Sequence, residues 1–379
     1  MKTGRYAAII LAGGFSSRMK QFKPLLPLDE ATITDHVIAT FLSCGIDVIL
    51  VVGNRQDELR KGIKKWDITI IENPDYSQGM FSSIQAGIRR LQPAHRAFFV
   101  MPVDIPLVRP STIRRLLDAG AEHPDSIVFP VFGKKRGHPP LIHSSLVPAI
   151  LGWKKGGGLK AILDSQEKAA REVPVADSNI LFDVDAPEDY KMLLERFRSY
   201  EVPTNEECEV ILTAICKVEP DRIRHGFKVS EVALAIGQSL NKSGFHLDLE
   251  AVRAAAALHD IAKGQPKHDI AGGQILRKLG FGKVADIVSV HTDLSEVTHG
   301  ISLEARIVYL ADKFVEGERL VSIEERYQSS RRQFGLTPEI EAKILKRKER
   351  ALSMKQELET LLGYPLEKVV SPGRSSSIN

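Results

Sequence analysis

The 379-residue sequence predicts an α/β domain built on an open sheet, followed by an all-α domain. Two observations carry that expectation. Up to about residue 198, strand and helix signals alternate at short spacing, as in open sheets with right-handed crossovers. Beyond that point strand signals nearly vanish, and six of the eleven histidines crowd between His225 and His299.

The elements follow in order. Residues 7–11 (AAIIL) form a continuous apolar run, as a parallel strand buried on both faces requires. Residues 34–44 read as a helix, 47–52 (DVILVV) as a second strand, 55–65 as a helix and 68–72 as a short strand. Residues 82–91 are helical, 97–101 (AFFVM) make a third strong strand, 110–120 a helix and 126–131 another strand. Open sheets of this kind bind ligands at the carboxyl ends of their strands. Gly13, Gly14 and Asp104 all follow strands there, so they can share one crevice. The polar stretch RSYEVPTNEE, with Pro203, suits a linker. After it, 208–218, 225–239, 249–262, 271–279, 283–290 and 303–317 read as helices. Residues 337–362 form a long charged helix or helix pair with KRKER on its solvated face. The expected division is 1–198, 207–330, a helical extension over 337–365 and a disordered tail over 371–379.

Composition narrows the function classes. A chain this long exceeds the usual single domain. The net charge of +4 is spread over residues of both signs, and no basic stripe interleaves with aromatics, so nucleic acid is not expected. Cys44, Cys208 and Cys216 make no CxxC pair and no even framework, which fits a reduced, cytoplasmic setting. No apolar segment approaches the roughly 20 residues of a membrane span. The first apolar run is too short for a secretory leader and passes directly into a glycine loop.

That loop reads LAGGFSSRMKQFKPLLPL. Glycines leaving a strand expose backbone N–H groups to phosphate oxygens, and Arg18 and Lys23 can add a fork and a point charge to the same anion. Two glycines alone equally suit an ordinary strand-to-helix turn. The loop is neither GxxxxGK[ST] nor GxGxxG. Carboxylates at strand ends suit Mg²⁺, which takes one or two of them with phosphates and waters. Asp104 is the first candidate. Asp185 is the second, with Asp183 beside it, although Asp185 also stands where a helix N-cap would precede APEDY.

The loop resembles the signature LAxGxSxRMGxxK of MobA-like nucleotidyltransferases, which attach a nucleotide to molybdopterin. Further matches follow in order: NPDYSQGMFSSIQAGI, VMPVDIPLV, GHPPLI and FDVDAPEDY. The resemblance spans Tyr6 to about Phe197 and implies a Rossmann-like nucleotidyltransferase sheet with flanking helices. It implies an NTP held by Leu11, Ala12, Gly13, Gly14, Arg18, Lys23, Gly79, Ser82 and Ser83, with Mg²⁺ on Asp104 and Asp185. Arg18, Lys23 and Asp104 would carry the chemistry, in which an acceptor phosphate attacks the α-phosphorus and pyrophosphate leaves. Lys20 stands where the family often has glycine. LAGG is the guanylyl form of the loop, while GMFSSIQAG and DVDAPEDY stand closer to the cytidylyl branch. CTP is therefore favoured over GTP. The expected acceptor is a molybdopterin-type cofactor, with a molybdoenzyme or its maturation factor as a further partner. A sugar- or alditol-phosphate acceptor is the alternative.

In the second half the ordered set is RHGFKVSEVA, LHDIAK, KHDIAGG, VHTDL and YLADK. Imidazoles and carboxylates from several helices can converge on a metal inside a bundle, and a mixed N/O set suits Mn, Fe, Co or Zn without selecting one. A lone histidine is more often a hydrogen-bonded core residue. The ordered set resembles the HD superfamily of metal-dependent phosphohydrolases, which implies an all-α HD domain. His225, His259, Asp260 and Asp312 map onto its ligands. His268 and His291 match the extra histidines of two-metal members, and Lys263 would face a substrate phosphate. His246 and His299 match nothing and read as surface residues. Phosphohydrolysis is the expected activity, with a regulatory nucleotide-binding module as the alternative.

Overall fold

The computed structural model describes residues 6–14, 18–19, 21–292, 300–334 and 337–370. The expected tail at 371–379, Lys20 and His299 lie outside the described residues. The chain divides into two units, Met1–Ser199 and Tyr200–Asn379.

The first unit is built on an eight-stranded sheet. Its strands are β1 (Tyr6–Ala12), β2 (Asp47–Val52), β3 (Thr69–Glu72), β4 (Ala97–Pro102), β5 (Ile127–Phe132), β6 (Lys135–Arg136), β7 (Leu141–His143) and β8 (Ala170–Pro174). Their order is β8-β5-β7-β4-β1-β2-β3, with β6 on β5. β1 is parallel to both β2 and β4, with Ala7 opposite Asp47 and Phe98. The sheet is mixed, because β7 enters antiparallel between β4 and β5. At three residues, β7 is too short to print a periodicity in sequence.

Helices flank the sheet: α1 (Ile33–Leu42), α2 (Gln56–Gly62), α3 (Met80–Ile88), α4 (Pro110–Glu122), α5 (Val147–Leu151), α6 (Gly158–Ser165) and α7 (Pro187–Arg198). Ala7 to Ala12 are buried on both faces of the sheet, which is why β1 has no polar alternation. Ile9, Leu11, Ile49, Val51, Phe98 and Val100 form one core cluster with Ile84 and Ile88 of α3.

The second unit is helical: α8 (Asn205–Val210), α9 (Pro220–Lys242), α10 (Leu249–Leu258), α11 (His268–Leu279), α12 (Gly282–Val288), α13 (Leu303–Lys313), α14 (Ile323–Phe334), α15 (Pro338–Leu362) and α16 (Glu367–Val370). The charged 337–362 segment is thus a single helix. α8 starts at a capping box in which Thr204 and Glu207 satisfy each other's backbone N–H. Arg253, 8% exposed, reaches back from α10 to this entry: it donates to the Pro203 carbonyl at 2.8 Å and to Asn205, and it pairs with Glu250 at 2.8 Å. The expected linker is therefore, at its far end, packed structure.

Two expected helices stop early. Residues 249–262 are helical only to Leu258. There the His259 imidazole Nδ1–H donates to the Ala256 carbonyl at 2.8 Å, so a side chain takes an acceptor that the next turn of backbone would otherwise use. Residues 303–317 are helical to Lys313, and Val315–Glu316 (β9) then folds back on Arg319–Leu320 (β10) through Gly317 at φ 62°. α9 and α10 pack closely. A Cβ placed on Gly226 would lie 2.5 Å from the Ala257 carbonyl oxygen, so glycine beside His225 lets that helix approach the turn carrying His259.

Candidate functional site

Because β1 and β4 are parallel neighbours, the chain leaves both at the same end of the sheet. A cavity of about 300 Å³ opens there, lined by Leu11, Gly13, Gly14, Lys23, Ser83 and Asp104, with Gly79 at the start of α3. Gly13 is buried; a Cβ there would sit 3.4 Å from the Gly53 nitrogen and 3.6 Å from Ser83 Oγ. Gly14 is exposed and faces open space.

Asp104 lies just past β4, and its backbone carbonyl accepts the Val184 N–H at 2.9 Å. This bond brings Asp185 alongside. Asp189 caps α7, accepting the N–H groups of Asp185 and Ala186 at 2.9 and 2.7 Å. The Asp185 carboxylate is thus not spent on the helix end. It accepts from Lys23 at 2.6 Å and from Arg18 at 3.0 Å, and Lys23 Nζ also stands 3.7 Å from Asp104. Burial raises the Asp104 carboxyl above its ordinary value against the pull of Lys23. The Lys23 hydrogen bond holds Asp185 below its own, despite some burial, with help from Arg18. One carboxylate that resists charge and one that is already paired, with a lysine between them, leave room for a cation and an anion to exchange places with that lysine. A hard divalent ion fits such an oxygen pair.

The other expected residues are distributed unevenly. Ala12 is buried in β1 and does not line the cavity. Ser82 is occupied in the loop: its hydroxyl donates to the carbonyls of Asp75 and Gly79, and it accepts from Asn73. Asp183 is exposed and has no ion pair among the described residues. Sequence reading missed the cavity's other lining residues, including Pro24, Tyr76, Ser77 and Met80. It also missed Asn73, whose amide ties Ser82 and Ser83 in place at 2.9 Å. The quoted NPDYSQGM segment contained four of them without marking which face the cavity. A second cavity, of about 460 Å³, shares Met80 and Pro102 with the first.

In the second unit the ordered histidines converge. His225 comes from α9, His259 and Asp260 from the turn after α10, His268 from the start of α11, His291 from beyond α12 and Asp312 from α13. Asp312 stands 3.2 Å from His225 Nε2 and 3.6 Å from His259 Nε2. Asp260 faces both ways, 3.5 Å from His259 Nε2 through one oxygen and 3.4 and 3.7 Å from His268 and His291 through the other. Two donor groups result, His225–His259–Asp260 and Asp260–His268–His291, which share Asp260.

The tautomers suit a cation. Nδ1–H of His225, His259 and His291 donates to the carbonyls of Gly317, Ala256 and Val288 at 2.9, 2.8 and 2.8 Å. With Nδ1 so committed, Nε2 of each ring faces the cluster and is the atom a metal would take once its proton is displaced, as histidines that ligate metals are held. His259 Nε2 and His291 Nε2 are buried without a hydrogen-bond partner. Burial opposes charge on His259, but Asp260 and Asp312 outweigh it and push the ring up to about 10. Asp260 and Asp312 are buried too, yet His259 (and, for Asp312, Lys313) keeps them well below the carboxylate range. A cluster that draws a proton onto a buried imidazole is one that demands positive charge. Lys263 Nζ lies on Asp260 at 2.5 Å, and Lys313, missed in the sequence, lies on Asp312 at 2.6 Å.

Residues 8–170 match the MobA-like NTP transferase domain and residues 222–316 the HD domain. The chain is 32% identical over 191 residues to the molybdenum cofactor cytidylyltransferase of Escherichia coli strain K12, covering 50% of this chain and 95% of that one. It is 27% identical over 205 residues to the purine catabolism protein PucB of Bacillus subtilis strain 168, covering 51% and 98%. It is 27% identical over 194 residues to a probable molybdenum cofactor guanylyltransferase of Mycolicibacterium paratuberculosis, covering 50% and 95%. With the glycine loop, Lys23 and paired aspartates in one half and the joined His/Asp cluster in the other, the chain belongs to the MobA-like NTP transferase family, as an enzyme whose nucleotidyltransferase domain is followed by an HD domain.

Proposed function

We propose that the first domain transfers a nucleotidyl group from an NTP to a molybdopterin-type acceptor, releasing pyrophosphate, and that the HD domain hydrolyses a phosphate ester or anhydride. The carrying observation is Lys23, which is 13% exposed and set between Asp104 and Asp185 at the nucleotide cavity. In the working site Lys23 and Arg18 turn to the triphosphate, and the backbone N–H groups at Gly13 and Gly14 face its oxygens. Asp104 and Asp185 would hold Mg²⁺, which supplies charge neutralisation for the leaving pyrophosphate. CTP is favoured over GTP by the cytidylyl-like segments around Gly79 and Asp185 and by the higher identity to a cytidylyltransferase. A reduced, cytoplasmic location fits three cysteines that form no disulfide, and among the described residues no helix is long and apolar enough to cross a membrane.

In the HD domain His225, His259, Asp260, His268, His291 and Asp312 would hold one or two ions of Mn, Fe, Co or Zn, which supply an activated water. Lys263 and Lys313 are placed to take the phosphate once the carboxylates are neutralised. A molybdoenzyme or its maturation factor would receive the finished cofactor. The test is to incubate the protein with Mg²⁺, molybdenum-loaded molybdopterin and either CTP or GTP, and to follow pyrophosphate. Release with CTP, only when the pterin is present, is expected; absence with both nucleotides overturns the acceptor. Phosphate release from nucleotide substrates with Mn²⁺ tests the second domain.

A further inference from the structure

We infer that the helical domain carries an anion site apart from its His/Asp cluster, in a cavity between α9 and α16, and that this site takes the phosphoryl group of a small molecule. The site is independent of what the cluster hydrolyses.

The cavity measures about 510 Å³, enough for a small phosphorylated compound. One wall is a stripe of α9, where Ala235, Gln238, Ser239 and Lys242 recur at helical spacing. The other is formed by Tyr364, Lys368 and Val369. Lys242 and His225 stand about 25 Å apart along α9, at roughly 1.5 Å per residue, so the cavity is not the mouth of the cluster. Its second wall also lies beyond residue 316, where the HD match ends. That wall is fixed in place. Gly363, at φ 80°, closes α15 by donating its N–H to the Glu359 carbonyl at 2.8 Å. Glu359 Oε1 then takes the Leu366 N–H at 2.9 Å, and Lys355 bridges Glu359 and Glu367 at 2.9 and 3.1 Å. Leu362, Leu366 and Val370 anchor the turn as buried residues.

Every polar side chain of the lining can donate a hydrogen bond: two ammonium groups, a phenol, a hydroxyl and an amide. Among the described residues no carboxylate lines the cavity. The acids nearest in sequence to the two lysines are paired elsewhere, Asp248 with Lys283 and Glu367 with Lys355. Lys242 and Lys368 themselves have no ion pair within 4 Å among the described residues. The negative end of α9 is also quenched. The carbonyls of Ser239, Leu240 and Asn241 accept from the N–H groups of Ser243, Phe245 and Gly244, each at 3.1 Å. Two point charges with neutral donors beside them suit a group that has several oxygens and a full negative charge, as a phosphoryl group has.

The experiment follows amine-reactive labelling of each lysine in the full chain by mass spectrometry, with inorganic phosphate, pyrophosphate or CTP added at matched ionic strength. Lys242 and Lys368 should be protected together and saturably, while the exposed Lys343 of α15 keeps its rate. Lys242→Gln should raise the probe concentration that half-protects Lys368 at least tenfold, and Lys368→Gln should do the same for Lys242. Lys242→Arg should restore the protection of Lys368. Lys263→Met, at the cluster, should change neither. Tightest protection by CTP and tightest protection by phosphate or pyrophosphate both support the site, and they separate a nucleotide from a free inorganic anion. Protection no greater than sodium chloride gives, or protection of one lysine that is unaltered when the other is replaced, overturns the site. Loss of protection in Lys263→Met overturns its separation from the cluster.

Discussion

Replacing Asp185 by asparagine removes a charge beside the cavity that Gly13 and Lys23 line, and keeps the shape. In the folded protein its carboxylate holds Lys23 at 2.6 Å and Arg18 at 3.0 Å. The Arg18 arm is 77% exposed and Asp185 40%, so that pair contributes only about 0–1 kcal/mol. Lys23 is more enclosed, and a charge-assisted bond of this kind is worth about 1.5–3 kcal/mol before screening. Lys23 keeps Asp104 at 3.7 Å when Asp185 is neutralised. The net loss of stability should therefore be about 1 kcal/mol at pH 7. The sign with pH follows from the Lys23 bond, which holds Asp185 below its ordinary value. Its contribution is present above the unfolded pKa and lost as pH falls through the lower folded one, so wild type and variant converge in acid. Transfer should suffer far more. Losing a contact merely adjacent to a metal ligand costs 10–100-fold in affinity, so losing the ligand should raise the Mg²⁺ requirement by at least about 100-fold. Urea unfolding at neutral and acid pH, with Mg²⁺ titrations of pyrophosphate release, reads both numbers. A folded variant with the wild-type Mg²⁺ dependence would refute the assignment of Asp185 as a ligand.

Asp104→Ala should abolish transfer and leave metal-dependent phosphohydrolysis intact, and His259→Ala combined with Asp260→Ala should do the reverse; either change silencing both activities in a folded protein would show that the sites are not separate. Because burial holds Asp104 above its ordinary value, Mg²⁺ affinity in the transfer assay should fall with decreasing pH earlier than for a solvated aspartate, and Lys23→Met should move that limb higher still. An ion entering the HD cluster must displace the proton that Asp260 and Asp312 stabilise on His259, so its affinity should climb with pH toward about 10, and calorimetry in two buffers of different ionisation heat should give different enthalpies. Gly226→Val should cost about 1–3 kcal/mol in chemical denaturation, because even a Cβ there meets the Ala257 carbonyl at 2.5 Å.

Much of both sites was legible because their residues sit in contiguous strings. β1 is one apolar run ending at two glycines, and LHDIAK carries two metal-type residues side by side. The mixed character of the sheet was not legible, since β7 is three residues of ordinary composition whose pairing is decided by tertiary contact. The turn at His259 was missed because helix propensity continues through 259–262, while a side chain claims the backbone acceptor. That Asp185 does not serve as the N-cap was not legible, since it depends on Asp189, four residues on, taking the cap. Lys313 carried no signal of its own: its part is set by α13 placing it against Asp312.

The grip of Arg253 on Pro203 and Asn205 bears on where the helical half begins as a folding entity. A guanidinium that is nearly enclosed needs those acceptors in place, and the Thr204–Glu207 box needs the residues that precede it. Cutting the chain at residue 207 would strand a buried cation and uncap α8 in one stroke, whereas a cut a few residues earlier spares both. The stretch that reads as a tether is, at that end, the first piece of the second domain's own interior.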